Sequence, residues 1–224
     1  MRLPRRGAEP GAPPAGQPWS GRFPGFDVLD QSSHWDPATT GVVLARVGMA
    51  PDIRFFTPDE EAVATALCDQ LLAQDDATEP QARVAVVNMI DARLAERQTD
   101  GWRYDDMPDD GQAWRESLAW LDADANEQFG CDFAACSRAQ QGSLIHSVQN
   151  RGSDTWHGLC AERVWSLWTR YACTAFYSHP FAWNEMGFSG PAYPRGYKNA
   201  GIDRLEPFEV RDARPGDDPL RRRA

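Results

Sequence analysis

A chain of 224 residues can bury a real core without disulfide or metal staples, as one large domain or as one domain with long arms. Charged residues make up 25%, aromatic residues 11%, and the formal net charge is −10. That balance disfavours binding to a phosphate backbone, because nucleic-acid binders gather positive charge on one face. No run of about 18 apolar residues occurs, so no transmembrane helix is expected.

In chain order, residues 1–20 are rich in Pro and Gly and are expected to form a disordered leader. Arg5-Arg6 has the look of a twin-arginine export signal. Such a signal needs an apolar stretch of roughly 7–15 residues behind it, and Gly, Pro, Ala and Glu follow the pair instead. The expected compartment is therefore the cytoplasm, with the periplasm reached only if a partner carries the chain there. Residues 21–52 form an N-terminal arm whose Phe23, Phe26, Val28 and Leu29 need a surface to cover. In the same arm, Asp36 as N-cap and Pro37 behind it predict a short helix with Val42, Val43 and Val47 as its apolar stripe.

A helical domain is expected over 53–177. Its first helix opens on Thr57 as N-cap, Pro58 at the first position and Glu60 closing a capping box, with Val63, Leu67 and Leu71 on one face. The second runs from about Gln81 to Glu96, on the helical period of Val84, Val87, Ile90 and Leu94. The third, about 111–128, carries Trp114, Leu118, Leu121 and Ala125. Ser137 and Gln140 make another capping box ahead of Leu144, Ile145 and Val148. The last helix, about 161–176, has the widest apolar band and is expected to lie centrally, covered on more than one side. Residues 178–212 read as an aromatic, Gly/Pro-rich coil tail, and 213–224 as a disordered end with Arg221 to Arg223 solvated. No alternating strand is evident. The expected fold class is mostly α: an irregular bundle of about five helices with long coil arms at both ends.

Site chemistry is sparse. The five cysteines are odd in number and lack a signal peptide, which argues against a disulfide framework and fits a reducing compartment. Cys131 and Cys136 are spaced C-x4-C without the further C-x2-C pair of an iron–sulfur site, while Cys160 and Cys173 read as small core residues. His157, His179 and Glu185 could be imagined as metal ligands, but no H-E-x-x-H or comparable spacing links them. The stretch GFSGPAYPRGYKNAG fails the phosphate-loop pattern, and its glycines are better read as turn residues between aromatics. No G-x-S-x-G elbow occurs, and the acidic runs read as solvated faces.

Two stretches together carry a resemblance: FFTPDEEAVATALCDQLL, and a late helix ending in AFYSHPFAWNEMGFSGPAYPRGY. The chain resembles gluconate 2-dehydrogenase subunit 3, over about residues 53–200. The spaced marks F-Y-x-x-P, N and G-x-x-G-P-x-x-P-x-G-Y weigh most. The resemblance implies a small subunit, similar in role to a chaperone or scaffold, that clasps a large catalytic subunit of the glucose–methanol–choline oxidoreductase type. The FAD and the active site would belong to that partner, with no cofactor and no catalytic or metal residue in this chain. Members of the family commonly carry a twin-arginine signal, from which this chain departs.

The leading expectation is thus a non-catalytic accessory subunit. Its partner-facing residues are expected to be Phe23, Phe26, Trp35, Tyr177, His179, Pro180, Phe181, Trp183, Asn184, Phe188, Tyr193, Arg195 and Tyr197, because clustered rings are typical interface anchors. The bland reading is that the tail folds back on its own helices. The rival is a stand-alone metal-dependent enzyme using His157, His179 and Glu185.

Overall fold

The computed structural model describes residues 23, 26–48, 50–74, 83–199, 201 and 204–210. The expected leader, the C-terminal end and the start of the second helix at Gln81 lie outside them. The described residues fall into two compact units: 50–74 with 83–176, and 23–48 with 177–210. The chain is mostly α, as expected. Seven α-helices occur among the described residues: α1 (Pro37–Val47), α2 (Pro58–Leu72), α3 (Val86–Ala95), α4 (Asp110–Phe129), α5 (Arg138–Asn150), α6 (Ala161–Tyr177) and α7 (Pro180–Met186).

The unit containing 50–176 is built around α2, which packs against α3, α4 and α5. Its start is set locally. Thr57 accepts the Glu60 N–H, Glu60 returns the bond to the Thr57 N–H at 2.8 Å, and Pro58 occupies the first turn. Three acidic residues then complement the helix dipole. Leu67 of α2, Ile90 of α3, Trp114, Leu118 and Leu121 of α4, and Leu144 and Val148 of α5 are buried together with Trp168 and Tyr171 of α6. Each contributes about 1.5–3 kcal/mol relative to exposure. The α6 band is a single wide stripe, since Cys173 and Thr174 on its other side are exposed. The exposure of Cys173 corrects its expected core placement.

Two details in this unit were not anticipated. Thr155–Trp156 pairs antiparallel with Leu159–Cys160. The intervening His157 and Gly158 have φ of +47° and +95°, the pair of positive values that a tight two-residue hairpin turn requires. Cys131 and Cys136 are joined in a disulfide. This corrects the expectation of free thiols: the bond closes the 3-10 helix Phe133–Ala135, whose Phe133 is fully buried.

In the other unit, α1 is capped by Asp36, which accepts from Ala38 and Thr39. Only Val43 of its expected stripe is buried, while Val42 is 56% exposed. Val28, Trp35, Val43 and Trp183 form a small core, with Phe26 and Leu29 packed against it. The tail expected to be pure coil contains α7, ended by Gly187 in the left-handed conformation.

Candidate functional site

The unit of 23–48 and 177–210 holds every residue expected to face a partner. Several polar contacts hold its framework. His179 caps α7, its Nδ1 accepting the Phe181 N–H at 3.2 Å. Burial holds the His179 imidazole below its ordinary range against an opposing hydrogen bond to the Arg46 backbone, and the Arg46 charge adds to the lowering. Arg46 itself donates to the Ser178 carbonyl at 2.8 Å. Trp183 Nε1 donates to the Tyr177 carbonyl at 2.7 Å. Asn184 Oδ1 accepts the Val28 N–H at 2.8 Å, and its Nδ2 donates to Asp27 at 3.3 Å. The two Asn184 bonds tie the N-terminal arm to the tail across 156 and 157 residues of chain, and the Arg46 bond does so across 132.

Glycine fits where arm and tail touch. Gly190 has φ +76°, and a Cβ there would stand 2.6 Å from Trp35 Cζ2. The turn that follows, which includes a cis Tyr193–Pro194 bond, is closed by Glu206. That carboxylate is buried and accepts the backbone N–H groups of Lys198 and Asn199.

The thirteen residues therefore separate into two sets. Trp35, His179, Pro180, Trp183 and Asn184 are buried within the unit, and Phe23, Phe26, Phe181 and Arg195 are half-buried. Tyr177, Phe188, Tyr193 and Tyr197 are 46%, 39%, 67% and 59% exposed. The fold thus brings the expected residues into one unit and spends about half of them on holding it together. The supporting residues Asp27, Gln31, Arg46 and Glu206 escaped the sequence reading. Their partners lie far away in sequence or are backbone groups, so no local motif marks them.

The imagined ligand trio does not assemble. His157 Nε2 bonds Asp124 Oδ1 at 2.8 Å and its ring stacks on Trp120, and His179 is used as a helix cap. Burial raises the Glu185 carboxyl above its ordinary range. Among the described residues no group of three or more His, Cys, Asp or Glu is placed to hold a metal ion. The metal-enzyme expectation on these three residues is corrected accordingly.

The other unit has an open cleft of about 1200 Å³, whose lining includes Arg54, Phe55, Leu94, Arg97, Asp110 and Arg115. Arg115 grips both Glu60 oxygens at 2.8 and 2.9 Å and lies over the Phe55 ring. Tyr171 donates to Asp110 at 2.6 Å, and burial pushes its phenol upward. Three of the cleft's charged residues are engaged by groups outside its lining: Arg54 by Glu96, Arg115 by Glu60 and Asp110 by Arg170.

No curated protein and no solved structure gives a significant match to the chain. A family model does match: that of gluconate 2-dehydrogenase subunit 3, over residues 58–190. The matched span begins at the first residue of α2, runs through α3–α7 and ends at Gly190 against Trp35. It covers more than half of the chain and includes the tail residues His179 to Gly190 on which the aromatic unit is built. The chain belongs to the gluconate 2-dehydrogenase subunit 3 family.

Proposed function

We propose that the chain is the non-catalytic small subunit of a flavin-dependent sugar or sugar-acid oxidoreductase complex. In this reading it clasps and stabilises a large FAD-bearing subunit of the glucose–methanol–choline type. One observation carries it. Tyr177, Phe188, Tyr193 and Tyr197 stay exposed on a segment whose polar skeleton is buried and bonded. Exposed rings held on a rigid support are what interface anchors look like.

The mechanism is mass action. A subunit that binds the folded partner and not its unfolded chain stabilises it by about 2.7 kcal/mol at a hundredfold excess over Kd. The FAD and the reacting groups sit in the partner, and this chain supplies surface. Co-expression with a flavoprotein of that type tests the idea. The expected result is a higher soluble yield and a raised melting temperature of the flavoprotein. An unchanged melting temperature in the presence of saturating small chain would sink it.

A further inference from the structure

Arg195 lies in sequence between the exposed Tyr193 and Tyr197, and its guanidinium is only partly committed. Nη1 donates to Gln31 Oε1 at 3.1 Å, and the group lies over the Phe208 ring with 3.8 Å to the centroid. Nε and Nη2 are buried and have no hydrogen-bond partner among the described residues. These two N–H groups share one edge of the guanidinium, the edge that grips a carboxylate through two parallel hydrogen bonds. Two carboxylates of the described neighbouring segment are engaged by other groups. Glu206 accepts from the Lys198 and Asn199 backbone, and Glu209 accepts the Glu206 N–H at 2.6 Å. Donors buried without an acceptor are destabilising, and charged ones most of all. Burial also holds this guanidinium below its ordinary pKa, with Tyr197 opposing the shift.

We infer that the Nε–Nη2 edge of Arg195 receives an Asp or Glu side chain of the partner subunit, seated between Tyr193 and Tyr197. The inference rests on the accessory-subunit reading and adds the chemistry of its contact point. A partner side chain is the occupant because the residues two before and two after Arg195, Tyr193 and Tyr197, are 67% and 59% exposed, and a protein surface would cover them in the same event. Covering them removes water from the ion pair, where a bidentate carboxylate fixes register as well as strength. Because Nε and Nη2 are buried in the lone chain, the inference includes a local shift at Arg195 that opens this edge to the entering carboxylate.

The test uses the full chain as wild type, Arg195→Gln and Arg195→Lys, each co-expressed with a flavoprotein of the glucose–methanol–choline type. Affinity of each pair and the melting temperature of each lone chain are measured. Arg195→Gln is expected to weaken the complex at least about thirtyfold, with Arg195→Lys restoring only part because it lacks the fork. The lone Arg195→Gln chain is expected to melt at or above the wild type. Wild-type affinity in Arg195→Gln overturns the inference and leaves the accessory-subunit reading standing, whereas a wild type that captures no flavoprotein overturns both. A lone Arg195→Gln chain that melts well below the wild type also overturns it, since the fork would then be satisfied by the chain's own acids. So does acetate that raises the wild-type melting temperature but not that of Arg195→Gln, which would make a free carboxylate the occupant.

Discussion

Asp91 is fully buried and accepts three backbone N–H groups, from Arg54 at 2.7 Å and from Phe55 and Phe56 at 2.8 Å each. It fixes the chain entering α2 before Thr57 caps that helix. Removing the carboxylate leaves three donors without their acceptor, so Asp91→Ala should cost about 2–4 kcal/mol. Asp91→Asn, which keeps one oxygen, should cost less. Urea denaturation of the two variants measures both, and equal stability to the wild type would refute the role.

The residue scale also carries a pH dependence. Burial holds His179 below its ordinary value of 6.5, so the unfolded chain takes up the proton first as pH falls. Stability therefore declines from about pH 6.5 downward, until the folded-state value is passed. Glu185 is raised above its ordinary 4.5 by burial. Its contribution is complete below about pH 4.5 and is lost as pH rises through its folded value, opposing the histidine where the two windows overlap. His179→Asn keeps a cap acceptor and removes the titration, so its urea midpoint should fall less below pH 6.5 than that of the wild type. Parallel curves would show that His179 is not the group responsible.

At the scale of elements, the Cys131–Cys136 bond closes a short loop that seats Phe133. Loop-closure entropy for so short a ring is about 2 kcal/mol. Dithiothreitol should lower the melting temperature of the wild type and leave a Cys131→Ser/Cys136→Ser double variant unaffected. Alkylation of the denatured, unreduced chain should label Cys68, Cys160 and Cys173 and spare the pair; label on Cys131 or Cys136 would contradict the bond.

The same elements show what a sequence makes legible. The caps at Asp36, Thr57 and Ser137 were readable because cap and partner stand two or three residues apart. Helices α4 and α6 were readable because their core residues repeat at the helical period over four or five turns. Helix α7 was not: it has seven residues, its cap is a histidine, and Pro180, Ala182, Trp183 and Asn184 are buried without that period. The hairpin at 155–160 offers two residues per strand, too few for an alternation to register. Among the expected interface residues, the type of side chain was a fair guide to the unit but not to the face. Trp183 and Tyr193 look alike in sequence, and only the long-range contacts to Val28 and Trp35 decide which is buried.

For the whole molecule, the rings left outside matter most. Tyr193→Ser with Tyr197→Ser should leave the lone chain within about 0.5 kcal/mol of the wild type, because both side chains are largely solvated. The same double variant should weaken a complex by more than about tenfold, because aromatic anchors dominate binding energy. Chemical denaturation and affinity capture separate the two effects. A variant that unfolds instead would mark these rings as part of the chain's own core.

The central claim is that this chain serves a separate flavoprotein. Size-exclusion chromatography with light scattering and flavin absorbance, run on the co-expressed pair, tests it most directly. The account predicts one peak whose mass is that of a heterocomplex and whose flavin is bound, with the small chain alone carrying no flavin absorbance. Two separate peaks, or flavin eluting with the lone small chain, would contradict it.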